Sequence, residues 1–101
     1  MQFKLTKKNI ELSNHEEGVV DEKLSRIAKH LRTPFVVDVM LRRDTHHQSG
    51  DVYLCRINVE EGKRVFHGER TGESTLDALD ETIAVVIQQL EKEHDRHRRD
   101  K

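Results

Sequence analysis

Val52-Tyr53-Leu54-Cys55-Arg56-Ile57-Asn58-Val59-Glu60-Glu61-Gly62-Lys63-Arg64-Val65-Phe66-His67-Gly68-Glu69-Arg70-Thr71 is the stretch whose reading sets the fold. Tyr53, Cys55, Ile57 and Val59 alternate with Arg56 and Asn58, the period-two pattern of a strand with one buried face. Glu61-Gly62-Lys63 predicts a hairpin turn. Phe66 and Gly68 then share one face of a further strand, which Gly72-Glu73 ends. Upstream, Phe35 to Arg42 is β-branched and apolar, with Val37, Val39 and Leu41 on one face. Thr45 to Asp51 reads as the polar turn that follows. The stretch therefore predicts three consecutive antiparallel strands.

On the N-terminal side, Phe3 and Leu5 alternate with polar neighbours, and Ile10 and Leu12 resume the alternation after Lys7-Lys8-Asn9. This predicts a half-buried strand with an irregularity near Lys8. Ser13 and Glu16 have the spacing of a capping box, and Val20, Leu24, Ile27 and Leu31 follow as one apolar helical face. Thr33-Pro34 should end that helix, because the residue before proline is pushed out of the helical region. On the C-terminal side, Ser74 and Asp77 are a second capping pair. Leu76, Leu79, Ile83, Val86, Ile87 and Leu90 mark a long helix that runs to about His94 or beyond.

The predicted order is β-α-β-β-β-α. The expected fold is α+β: one domain, a four-stranded mixed sheet with two helices packed on one face. The first β-α-β should join parallel neighbours through a right-handed crossover, and the second sheet face should stay exposed. The domain is expected to cover residues 1–95, with 96–101 as a charged, basic C-terminal tail.

The 101 residues leave room for one domain, and a charged fraction of 37% sits beside clear apolar periodicity, which argues against disorder. No apolar run approaches membrane-spanning length, and the polar-interrupted N-terminus does not read as a signal peptide. One cysteine, Cys55, excludes an internal disulfide framework and fits a reducing, cytoplasmic setting. Its alternation with Tyr53 and Ile57 makes it a core side chain rather than a reactive thiol.

Signals for catalysis are absent: no phosphate loop, no His-Glu-x-x-His, no nucleophile motif. The protein is therefore expected to be no enzyme, with no cofactor and no small-molecule substrate. His46-His47 falls in a turn. His94 and His97 are three residues apart but lack further ligands at metal-site spacing, so they read as exposed histidines and no metal is predicted.

Charge placement is more informative than the total of -1. Lys23, Arg26 and His30 share a helix face, which Lys29 and Arg32 extend. Lys7 and Lys8 end the first strand, and Arg42 and Arg43 end the second. The tail holds Arg96, Arg98, Arg99 and Lys101 against one acid. Glu16, Glu17, Asp21 and Glu22 open the first helix, and Glu73, Asp77, Asp80 and Glu81 open the second. Acids at helix starts and bases at helix ends suit the helix dipoles. The same pattern also describes a polarised domain that offers a basic end to phosphates.

Three stretches, Asn9-Ile10-Glu11-Leu12-Ser13, Val20-Asp21-Glu22-Lys23-Leu24-Ser25-Arg26-Ile27 and Gly50-Asp51-Val52-Tyr53, match those of a known family. By them the chain resembles the short-form ribosome hibernation-promoting factors, also called ribosomal subunit interface protein or protein Y. Leu76-Asp77-Ala78-Leu79-Asp80 stands where the family has Tyr-Ala-Ala-Ile-Asp. The resemblance implies binding to rRNA of the small ribosomal subunit in the mRNA/tRNA channel, and translational silencing in stress or stationary phase. It carries an rRNA-binding role onto Lys8, Lys23, Arg26, Lys29 and Lys92, with Arg96, Arg98 and Arg99 in a region also basic in the family. Lys7, Arg42 and Arg43 join them as neighbouring bases.

Some positions depart from the pattern. Val85, Gln88 and Glu91 replace frequent bases on the second helix, and Leu76 replaces the common Tyr. Val85 lies roughly opposite the apolar stripe and should be exposed. This motivates a second reading, a protein-interaction module of the same fold that has lost most rRNA binding. A homodimer is not predicted.

Overall fold

Alternation in the meander becomes one buried face: Val37, Val39, Leu41, Cys55, Ile57 and Val59 are each at most 1% exposed. The computed structural model describes residues 3–47 and 50–99. Its elements are β1 (Phe3–Lys8), α1 (Asn14–Ala28), β2 (Phe35–His47), β3 (Gly50–Glu61), β4 (Arg64–Gly72) and α2 (Thr75–Arg99). The sheet order is β1-β2-β3-β4. β1 runs parallel to β2, and the β2–β3 and β3–β4 pairs are antiparallel. Both helices cover the face that carries the buried row, and the opposite face is open, with Val36 and Val65 exposed. The expected α+β architecture is the one observed.

Local chemistry explains the elements. The capping box at Ser13 is complete: the Glu16 N–H donates to Ser13 Oγ at 3.1 Å, and the Ser13 N–H donates to Glu16 Oε1 at 3.1 Å. The Asp77 N–H donates to Ser74 Oγ at 3.1 Å at the start of α2. Gly62 has φ +61° at the first position of the β3–β4 turn, a conformation that glycine adopts without strain.

α2 lies close to β4 because Gly68 lacks a side chain. A Cβ there would stand 2.9 Å from Val86 Cγ2 and 3.3 Å from Thr82 Cγ2. Gln89 occupies the outer edge of β4 as a neighbouring strand would: its Nε2 donates to the His67 carbonyl at 2.8 Å, and the His67 N–H donates to its Oε1 at 3.3 Å.

Several sequence expectations are corrected. The first strand ends at Lys8, because Asn9 turns to φ 59° and its Nδ2 donates to the Arg43 carbonyl at 3.2 Å. Ile10 and Leu12 pack on the core from outside any strand. α1 stops at Ala28, ahead of Thr33-Pro34, because the His30 and Leu31 N–H groups donate back to Ile27 and Ala28 and tighten the chain. The polar stretch at Thr45–Asp51 is largely strand, since β2 and β3 pair through Asp44↔Val52 and, after a register shift, His47↔Gly50.

Val85 is half-buried rather than exposed. Ala78 and Thr82 are fully buried beside the apolar stripe, and they widen the covered arc of α2 to the flank where Val85 sits.

One consequence of this topology positions the site: α1 and α2 run parallel. The segment leading into α1 (Ile10, Glu11, Glu16) lines a cleft with Ser74, Thr75 and Leu76 at the start of α2. Lys23 meets Asp80 further along. The Arg32 N–H, just past α1, meets Glu61, which also contacts His94 near the end of α2. Both helix starts therefore share one end of the molecule and both helix ends the other.

Candidate nucleic-acid interface

The shared helix direction sorts the predicted bases into two groups. Arg26 lies in the last turn of α1 and Lys29 is its C-cap. Lys92 and Arg96 lie in the last turns of α2. All four are exposed and have no ion-pair partner among the described residues. Exposed Arg32 and Lys63 join them, since the Arg32–Pro34 segment and the Glu61–Arg64 turn line one shallow groove. The Gly62 N–H donates to the Pro34 carbonyl at 3.0 Å and holds the turn against that segment. The result is a basic pole built from three chain segments.

Lys63 was missed as a site residue because a turn lysine signals only a hairpin. Its relevance depends on the β3–β4 turn reaching the same end as both helix ends. α2 continues helically through Arg99, so the basic stretch 96–99 extends the helix. The side chains of Arg98 and Arg99, like those of His46, His47 and His97, lie outside the described residues.

The other predicted bases lie elsewhere. Lys7 Nζ is 3.2 Å from Glu17 Oε1, and Lys23 Nζ is 2.7 Å from Asp80 Oδ1. Arg43 lies in the cleft with Glu11, Glu16, Tyr53 and Ser74, and its buried Nε has no hydrogen-bond partner among the described residues. Lys8 and Arg42 stand opposite each other in the β1–β2 register, on the open face of the sheet. Adjacent residues on a strand point to opposite faces, so neither Lys7-Lys8 nor Arg42-Arg43 acts as one patch. These four stand at the end where the helices start, away from the basic pole.

The remaining chemistry is structural. Burial pushes the Cys55 thiol up to about 11, against a lesser lowering by its hydrogen bond with Thr82, so it stays protonated and unreactive at neutral pH. His94 is half-buried, not an exposed histidine: its Nε2 lies 3.2 Å from Glu61 Oε1. Among the described residues, no group of three His, Cys, Asp or Glu side chains is placed to hold a metal. No described helix is long and apolar enough to cross a membrane.

A polarised α+β domain with exposed bases gathered at one end is what the geometry defines. The family model "Sigma 54 modulation protein / S30EA ribosomal protein" matches residues 3–98, and the chain belongs to that family. The fold is also that of two solved structures. The protein Y N-terminal domain of Thermus thermophilus is 18% identical, with a TM-score of 0.73 over 91% of this chain and 98% of that one. A ribosomal subunit interface protein from Coxiella burnetii is 12% identical, with a TM-score of 0.74 over 94% of this chain and 99% of that one. Comparison with curated proteins yields no match.

Proposed function

We propose that this protein is a ribosome-associated silencing factor, cytoplasmic and non-enzymatic, whose basic pole binds phosphates of small-subunit rRNA. On this reading it occupies the mRNA/tRNA channel and inhibits translation in stress or stationary phase. The observation that carries the proposal is the gathering of Arg26, Lys29, Lys92 and Arg96, exposed and without an ion-pair partner among the described residues, at one end of a member of this family. Folded RNA is recognised largely through backbone and shape, which suits a charged pole without aromatic stacking residues. Two parallel helix ends and a β-turn converge there, so several phosphates can be met at once by a preformed surface.

The test is cosedimentation with small subunits across a salt series, run beside inhibition of cell-free translation. Binding should weaken steadily as salt rises, because each neutralised phosphate releases counterions. Failure to cosediment at low salt sinks the proposal. The protein-interaction alternative draws on the near-neutral charge and on the base-poor, partly apolar second helix; Val85, half-buried rather than exposed, gives it less support than the sequence suggests.

A further inference from the structure

Glu61 breaks the pattern of its own strand. It continues the inward row of Cys55, Ile57 and Val59, yet it is an acid only 9% exposed. A buried carboxylate is costly unless both oxygens find donors, and here both do. Oε2 accepts the Arg32 N–H at 2.8 Å, and Oε1 lies 3.2 Å from His94 Nε2. An ionised carboxylate only accepts, so it would pair with the Nε2–H form of the ring.

The three segments joined at Glu61 are those that form the basic pole: the connector after α1, the β3–β4 turn and the end of α2. Leu90 is the last fully buried residue of α2 among the described residues, and the helix runs on to Arg99. This leaves about 13 Å of helix beyond the core. Lys92 and Arg96 lie on that overhang. A neighbouring tie, Arg64 Nη1 to Glu93 Oε1 at 3.6 Å, comes from the same turn.

We infer that Glu61 and His94 are positioning residues: their contact clamps the overhanging end of α2 so that Lys92 and Arg96 stand in fixed register with Arg26, Lys29 and Lys63. The clamp gives the pole a preorganised shape, which lowers the ordering cost of meeting a rigid array of phosphates. Its role in recognition rests on the ribosome reading above, while the clamp itself is a property of the free protein.

The experiment compares Glu61→Ala with Glu61→Gln in the full chain. The glutamine can still accept from Arg32 and meet His94 in its other tautomer. Amide hydrogen exchange over residues 91–96 should rise about tenfold in Glu61→Ala and stay near wild type in Glu61→Gln. Small-subunit affinity should fall about three- to tenfold in the alanine variant and recover in the glutamine variant. Arg96→Gln should cost less affinity in the Glu61→Ala background than in wild type, because an unclamped arginine has less to lose. Ile83→Val, a core change of similar stability cost, should leave affinity unchanged.

Unchanged exchange in Glu61→Ala overturns the clamp. Raised exchange with unchanged affinity, or strict additivity with Arg96→Gln, overturns the positioning role. If wild type itself does not bind, the ribosome reading and the recognition role fall together, and the exchange data still decide the clamp. Should Glu61→Ala not fold, His94→Ala against His94→Gln gives the same contrasts.

Discussion

Toward one end of the molecule the starts of α1 and α2 place Glu17 against Lys7 and Glu16 in a cleft with Arg43, and further along Asp80 meets Lys23. At the other end the last turns and the β3–β4 turn bring Arg26, Lys29, Lys63, Lys92 and Arg96 together, all exposed. Both ends are rich in charge, and both suit the helix dipoles. They differ in pairing. Lys7 meets Glu17 and Lys23 meets Asp80, whereas Arg26, Lys29, Lys92 and Arg96 have no ion-pair partner among the described residues. A paired base must give up one partner to gain a phosphate; an unpaired, exposed base gives up only water and counterions. The net charge of -1 averages over two surfaces of opposite character.

The contrast is most directly broken by removing one pole. Neutralising Arg26, Lys29, Lys92 and Arg96 together to Gln should lower small-subunit affinity about 100-fold at low salt and flatten the salt dependence. Sedimentation of the quadruple variant checks this, and wild-type affinity would remove the pole from the proposal. Next in size is a change to the shared core. Gly68→Ala places a methyl 2.9 Å from Val86 Cγ2, and should cost about 1–3 kcal/mol of stability by overpacking. Thermal melting measures that loss; a melting point equal to wild type would mean that α2 shifts away freely.

A smaller effect is expected from Lys8→Gln with Arg42→Gln on the open face. Affinity should change by about threefold or less, against the larger loss at the basic pole. If this pair matters as much as the pole does, the binding surface wraps round to the open sheet face. The smallest effect falls on Lys23. Lys23→Gln removes a bond to a half-exposed Asp80 and should cost about 0.5 kcal/mol in a denaturant titration. Lys23→Glu should cost more, since it sets a carboxylate against Asp80; equal losses for the two variants would mean that the pair contributes no charge-specific stability.

Much of the fold was legible because the signals were local. Period-two alternation in Val52–Val59, the glycine at Gly62 and the capping pairs Ser13/Glu16 and Ser74/Asp77 each act within a few residues, and all are realised. Boundaries were less legible where tertiary contact overrides local preference. Asn9 enters the left-handed region while donating to the Arg43 carbonyl in a neighbouring strand, and no local pattern announces that bond. The chain from Thr45 to Asp51 looks like a turn by composition, yet two polar strand ends pair because their continuations are already in register.

The site was legible in part. Arg26, Lys29, Lys92 and Arg96 stand out as basic helix ends, but Lys23 looked as available as Arg26 until its distance to Asp80 was known. Glu61 and His94 are 33 residues apart, and neither residue type signals the other.

The sequence by itself determined the kinds of element, their order and the charge polarity along each helix, because capping, periodicity and dipole complementarity are settled within a few residues. Only the tertiary structure decided that the two polarities add. β1, β2 and β4 point one way and each helix returns the other way over the same face, so α1 and α2 run parallel, and their basic ends meet at one pole beside the β3–β4 turn. Had the helices packed antiparallel, the same residues would have placed each basic end beside an acidic one and cancelled the field. Strand pairing across the sheet, not any residue near the pole, sets that direction.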